Sequence, residues 1–214
     1  MQLDTVHDIQ SAYRRLVTAM SYPGTVVDLS AEAAAVDLAS SLPKPLLLIA
    51  MMLLDAEVTF SLCAPDADRE SRTISQLTYA RVAAEAEAAF LLVDAGGSSL
   101  PPLSDDAVGQ AIEAARVGTL ESPHLGATIV LGVESLRDPA VGGPQKGVRL
   151  TLAGPGIQNQ RALGVAGPTG WVEQRREKNR EYPLGIDLIL YTPEGYVAGL
   201  PRTIQIVEAV AWDT

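Results

Sequence analysis

Hydrophobic residues recur along this 214-residue chain with two periods, and the period changes from segment to segment. Near the start, Ile9, Ala12, Tyr13, Leu16, Val17 and Met20 fall at helical spacing and make one apolar stripe. Thr5 with Asp8 resembles a capping box at the head of that helix, and Pro23-Gly24 stops it. Residues 43–54 are apolar nearly all round, the pattern of a buried helix. Short apolar or alternating runs at 25–29, 57–63, 90–93, 127–133, 148–152 and 186–191 predict strands. Alanine-rich stretches predict helix over 31–40 and over at least the second half of 69–89. Further helices are predicted over 106–116, capped by Ser104-Asp105, and over the charged stretch 171–181. Residues 94–104 and 138–147 are predicted loops. Pro193-Glu194-Gly195 is a turn after which 196–200 returns antiparallel, and 204–210 ends the pattern as strand or helix.

Strands alternate with helices through most of the length. That alternation predicts an α/β layered domain whose sheet is mostly parallel, and the late hairpin makes the sheet mixed. At this length a single domain over residues 1–214 is expected.

Composition narrows the function classes. The net charge of −10 disfavours a polyphosphate backbone, so no nucleic-acid partner is expected. The longest apolar run, 46–54, ends at Asp55 and is far short of the roughly 18 residues a membrane helix needs. The first ten residues carry acids and lack the basic, apolar and small-residue order of a secretory leader. Cys63 is the single cysteine, so no disulfide can form within the chain, which fits a reducing cytoplasm.

The chemistry the sequence lacks is informative. His7, His124 and Cys63 are too few for a structural zinc or iron–sulfur site. No serine sits in a G-x-S-x-G elbow, no phosphate loop of the G-x-x-x-x-G-K-[ST] type occurs, and Cys63 lies in an apolar strand. Only Lys44, Lys146 and Lys178 could form a Schiff base, and none has the apolar setting that lowers a lysine pKa. No cofactor or metal is therefore expected.

Four stretches remain as candidates, each with a structural and a functional reading. Arg14 and Arg15, on either side of the polar face of the first helix, are solvated arginines or contacts for a phosphate or a partner carboxylate. Gly154-Pro155-Gly156 is a tight turn or an anion-binding nest of backbone N–H groups. Asp187 is a carboxylate in an otherwise apolar strand, bonded to loop amides or part of a site. Arg202, in Pro201-Arg202-Thr203, is a natural ion-pair partner for Asp187 or a phosphate fork beside Thr203. The charged helix over 171–181 is a solvated face or a basic docking surface.

Taken in order, these stretches resemble the PhnH family, the H subunits of bacterial carbon–phosphorus lyase. The matching segments are Tyr13-Arg14-Arg15-Leu16 with Ala19-Met20-Ser21 and Pro23-Gly24, then Gly154-Pro155-Gly156-Ile157, then Pro183-Leu184-Gly185-Ile186-Asp187-Leu188-Ile189-Leu190, then Pro201-Arg202-Thr203. The resemblance implies a three-layer α/β/α fold similar to the large domain of pyridoxal-phosphate-dependent transferases, without use of that cofactor. It implies association with G, I and J subunits in phosphonate catabolism. It also implies a supporting role when the ribose triphosphate of ATP is transferred to an alkylphosphonate. It further implies that iron–sulfur cleavage of the C–P bond belongs to the J subunit; one cysteine cannot hold a cluster on this chain. The resemblance brings no catalytic residue to this chain. Two other readings stand beside it, a transferase of the pyridoxal-phosphate fold and a stand-alone phosphate-ester binder using Arg14, Arg202 and the Gly154–Gly156 turn. A homodimer is expected for the isolated chain.

Overall fold

In the computed structural model, residues 4, 6–95, 103–137 and 146–213 are described. Seven strands form the main sheet: β1 (Val26–Asp28), β2 (Thr59–Cys63), β3 (Arg81–Val82), β4 (Phe90–Val93), β5 (Thr128–Gly132), β9 (Asp187–Tyr191) and β10 (Tyr196–Leu200). Their order is β1-β10-β9-β5-β4-β2-β3. The pairings from β9 through β3 are parallel and the two at the β1 end are antiparallel, so the sheet is mixed and mostly parallel.

The central strands are apolar on both faces because both faces are covered. Leu91, Val93, Ile129, Leu131, Leu188 and Leu190 enter one core, while Phe60, Leu92, Val130, Ile189 and Tyr191 enter the other. This is the period-two alternation of a strand with no solvent side. The second core is closed by α1 (His7–Ser21), α2 (Ser30–Ala35), α3 (Lys44–Leu53) and α4 (Ala67–Thr78). In α3 the residues Leu46, Leu47, Leu48 and Ile49 are all buried, as an apolar circumference requires.

The first core departs from a layer of helices alone. It is closed by α5 (Asp105–Ala114), α6 (Trp171–Lys178) and a second sheet of β6 (Ser135–Arg137), β7 (Lys146–Ala153), β8 (Arg161–Ala166) and β11 (Gln205–Asp213). That sheet is antiparallel, in the order β11-β7-β8-β6. The sequence reading missed β6 and β8, which are three and six residues long, and left the ending of the chain open between strand and helix. Alternation in β7, with Val148, Leu150 and Leu152 buried, marks a sheet with one wet face.

Two alanine-rich helices were overcalled. The first ends at Ala35, after which Val36 and Leu42 enter the core from irregular chain. Over 69–89 the helix was expected in at least the second half; it lies instead in the first, as α4, and ends at Thr78, where Tyr79 adopts a left-handed conformation at φ 64°. Residues 81–82 then form β3, with Arg81 N–H donating to the Val58 carbonyl. Alanine propensity is a weak preference, and sheet pairing overrides it here. The cap of α1 also shifts. Asp4 accepts from the N–H groups of Val6 and His7, and Asp8 accepts from the N–H of Asp4 at 2.8 Å. Thr5 lies outside the described residues, as do 96–102 and 138–145 within the two predicted loops. Ser104 caps α5 as expected, accepting from Ala107 N–H.

Glu70 of α4 holds the irregular link between α2 and α3. Its fully buried carboxylate accepts from the Ser40 hydroxyl at 2.5 Å, the Ser41 hydroxyl at 2.9 Å and the Ser41 N–H at 3.2 Å. Burial pushes its pKa up, but these hydrogen bonds to the charged form outweigh burial and hold it below the ordinary value. A lowered pKa stabilises the fold above the unfolded pKa of about 4.3, and the contribution fades as pH falls through the folded value. Glu70→Gln is expected to lose about 1–2 kcal/mol at pH 7. Urea titrations across pH should show that gap closing below about pH 4.

Candidate functional site

One end of the main sheet collects most of the candidate residues. Asp187 opens β9 and pairs in register with Thr128, which opens β5. At the same end, β10 stops at Leu200 and the chain crosses through 201–204 to the second sheet. Arg202 sits in that crossing. Its backbone N–H donates to Asp187 Oδ1 at 2.7 Å, and its Nε and Nη2 donate to the same carboxylate. Nη1 also donates to the Pro123 carbonyl at 2.7 Å, just before β5. Both side chains are largely buried, at 21% exposure for Asp187 and 14% for Arg202. The ion pair anticipated from sequence is therefore formed, and it joins three segments that are distant in the chain.

Gly154-Pro155-Gly156 reaches the same place from β7. The turn closes with Ile157 N–H donating to the Gly154 carbonyl. Gly156, at φ 84°, lies so close to the end of α1 that a Cβ there would stand 2.4 Å from the Ser21 carbonyl oxygen. A Cβ on Gly154, at φ 140°, would meet the Thr203 carbonyl at 3.0 Å. These glycines allow the β7–β8 turn to press between α1 and the 201–204 crossing. Arg161, opening β8, donates to the Thr25 hydroxyl and adds a second tie between these parts.

The sequence reading missed Arg175 and Asn179. The helix over 171–181 is not simply a solvated face, because Arg175 is 1% exposed. Its Nη atoms donate to the carbonyls of Leu200, Pro201 and Ile204, at 2.8 Å for Pro201. Its Nε has no partner among the described residues. Burial pushes the guanidinium pKa down to about 10, against the raising effect of the Asp187 charge, so Arg175 stays charged at neutral pH. Asn179 accepts from Ile186 N–H at 2.8 Å and donates to the Ile186 carbonyl at 3.1 Å. The signal for Arg175 lay in the spacing Trp171, Val172, Arg175, which puts Arg175 on the buried side of α6.

Pro155, Arg175, Asn179 and Arg202 wall a cavity of about 650 Å³ that also takes in Arg176, Arg180, Thr203 and Tyr182, whose peptide bond to Pro183 is cis. No carboxylate lines it among the described residues. Arg14 and Arg15 do not join this cluster. Arg14 is exposed, and Arg15 bridges α1 to α2 by pairing with Glu32 at 2.6 Å and donating to the Asp28 carbonyl.

At the opposite, carboxyl ends of the parallel strands, where α/β sheets commonly bind ligands, the sequence offered no candidate. There the buried Tyr191 hydroxyl donates to Asp94 Oδ1 at 3.2 Å. Burial, then the Asp94 charge, push the phenol well above its ordinary value and keep it a donor. A second cavity of about 840 Å³ lies nearby and carries Asp105, Glu134 and Glu173 against Arg176. No group of three or more His, Cys, Asp or Glu suited to a metal occurs among the described residues. Burial raises the Cys63 thiol, which disfavours thiolate. Lys44 is exposed and donates to the Ala34 carbonyl. Lys178 differs from its sequence reading, because burial lowers its amine, which donates to the Ala115 carbonyl at 2.8 Å.

The chain matches the family described as bacterial phosphonate metabolism protein (PhnH) over residues 2–207. This chain belongs to the PhnH family. It is also 37% identical over 199 residues to a protein of Stutzerimonas stutzeri named "Putative C-P lyase subunit protein HtxG", an alignment covering 92% of this chain and 85% of that one. The PhnH match takes in every stretch quoted for the resemblance, from Tyr13 to Thr203.

Removing one partner of a largely buried, hydrogen-bonded ion pair leaves a charge uncompensated. In this PhnH-family chain, Asp187→Asn and Arg202→Met are each expected to cost about 3 kcal/mol of unfolding free energy. The double variant should cost less than their sum by at least about 1 kcal/mol in a denaturant-based cycle. Strict additivity would show that the pair does not act as a unit.

Proposed function

We propose that this chain is a non-autonomous subunit of a carbon–phosphorus lyase assembly in organophosphonate catabolism. The carrying observation is the PhnH match over residues 2–207, supported by likeness to a protein whose name places it in C-P lyase. In this reading the chain supports transfer of the ribose triphosphate of ATP to an alkylphosphonate, giving a ribose 1-phosphonate 5-triphosphate. Its partners are the G, I and J subunits, and it works in the cytoplasm as one domain without a cofactor of its own. Its fold is a relative of the large domain of pyridoxal-phosphate transferases.

The internal engagement of the candidate residues supports a supporting role. Asp187 and Arg202 are largely buried against partners within the chain, and Arg15, although 42% exposed, is tied to Glu32. No helix among the described residues is long and apolar enough to cross a membrane. Exposed side chains at Tyr13, Val17 and Tyr22 on and beside α1, and at Val207 and Val210 on the edge strand β11, offer apolar surface to a partner.

Affinity capture with this chain as bait, from its native bacterium grown on a phosphonate as sole phosphorus source, tests the reading. G, I and J subunits are expected in fixed ratio by mass spectrometry. Recovery of bait alone, with growth unaffected by deletion, would sink it. For the isolated chain, light scattering over a range of concentrations is expected to give dimer mass, and monomer mass throughout would refute self-association.

A further inference from the structure

We propose that the 650 Å³ cavity beside α6 binds a small phosphorus oxyanion, a phosphate or phosphonate ester, through Arg175, Arg176, Arg180 and Arg202. The cavity has the volume of a small-molecule site, for which about 300–1,000 Å³ is usual. Its charge is not a reflection of composition. Four guanidinium groups line it and no carboxylate does, in a chain whose net charge is −10.

The four arginines divide into two pairs. Arg202 is fixed by Asp187, and Arg175 is fixed by three carbonyl groups with its Nε left unpartnered. Among its hydrogen-bond partners Arg175 has no carboxylate, and the one carboxylate whose charge acts on it, Asp187, is already paired with Arg202, so an anion in the cavity would add compensation to its buried positive charge. Arg176, near the end of α6, and Arg180, just beyond it, are more exposed. Each is paired to a glutamate one turn back, Glu173 and Glu177, in exposed contacts that are worth little. Arg176 also donates to the Ile206 carbonyl at 3.3 Å and Arg180 also reaches Glu181 at 4.0 Å, and a ligand would compete with the exposed glutamate contacts. Thr203 adds a hydroxyl to the wall.

Planar guanidinium forks match the oxygens of a phosphate or phosphonate. Choosing a phosphorus oxyanion over a polycarboxylate rests on the proposed function, whereas the anion site rests on the cavity alone.

The test titrates the purified full-length chain by calorimetry with inorganic tripolyphosphate, ATP and methylphosphonate, with citrate as a carboxylate control. R176Q/R180Q removes two exposed guanidinium groups, so its fold should persist. R69Q/R72Q removes two equally charged, exposed arginines of α4 and controls for net charge. Tripolyphosphate or ATP is expected to bind the parent and R69Q/R72Q alike, and R176Q/R180Q at least tenfold more weakly. Equal weakening in both variants, absence of binding to the parent, or binding of citrate alone would overturn the proposal. So would capture of an acidic poly-glutamate peptide, but not of the phosphorus compounds, at the same arginines. Affinity capture of the G, I and J subunits does not depend on the titration. A failed titration with the assembly recovered sinks the cavity alone, and a failed capture with R176-dependent binding sinks the assembly alone.

Discussion

The Asp187–Arg202 pair stands where the two sheets of this protein are joined. After β10 the chain leaves the main sheet, and 201–204 carries it to β11 of the second one. Such a crossing presents unpaired carbonyls at the end of one sheet and must satisfy them without water. Arg202 meets part of that need through the carbonyl of Pro123, while Asp187 holds both the Arg202 backbone and its guanidinium. Arg175 supplies the rest by reaching from α6 to the carbonyls of Leu200, Pro201 and Ile204. Two positive charges and one negative therefore lie within a largely buried junction, an arrangement that hydrophobic side chains of equal volume could not replace without orphaning backbone groups.

The rest of the architecture follows from that junction. The parallel strands β5 and β9 are neighbours, yet β6, β7, β8 and α6 lie between them in sequence. The long connection folds back as an antiparallel sheet over one face of the main sheet and is locked there when β11 joins β7. The glycines of the 154–156 turn permit the close approach of that connection to α1. The 154–156, 187 and 201–203 motif residues thus converge because they are the points where the insertion, the first helix and the crossing to the final strand touch.

Much of this was legible from the sequence. The main-sheet strands β2, β4, β5 and β9 were clear because apolar runs bounded by polar or glycine-rich chain have few other solutions. Asp187 and Arg202 stood out because a lone carboxylate in an apolar strand demands a partner. Segments whose state is fixed by distant partners were not legible. Residues 81–82 become a strand only because the edge of β2 is free to accept them, and β6 and β8 are too short to show a period. Arg175 was hidden by company, since Glu173, Arg176, Glu177 and Arg180 around it are exposed and made the helix look uniformly wet.

The two ends of the parallel strands carry opposite chemistry, and that polarity bears on how the chain can act. The carboxyl ends face a cavity with Asp105, Glu134 and Glu173, and the other end faces one with four arginines. Charges separated by more than about 8 Å are largely screened at physiological salt, so each cavity is governed by the charges in and beside its lining and not by the net charge. A large polyanion samples the whole acidic surface and is repelled, whereas a small one that enters the arginine-lined cavity meets four guanidinium groups, three of them paired with Asp187, Glu173 and Glu177. Arg176 lines both cavities.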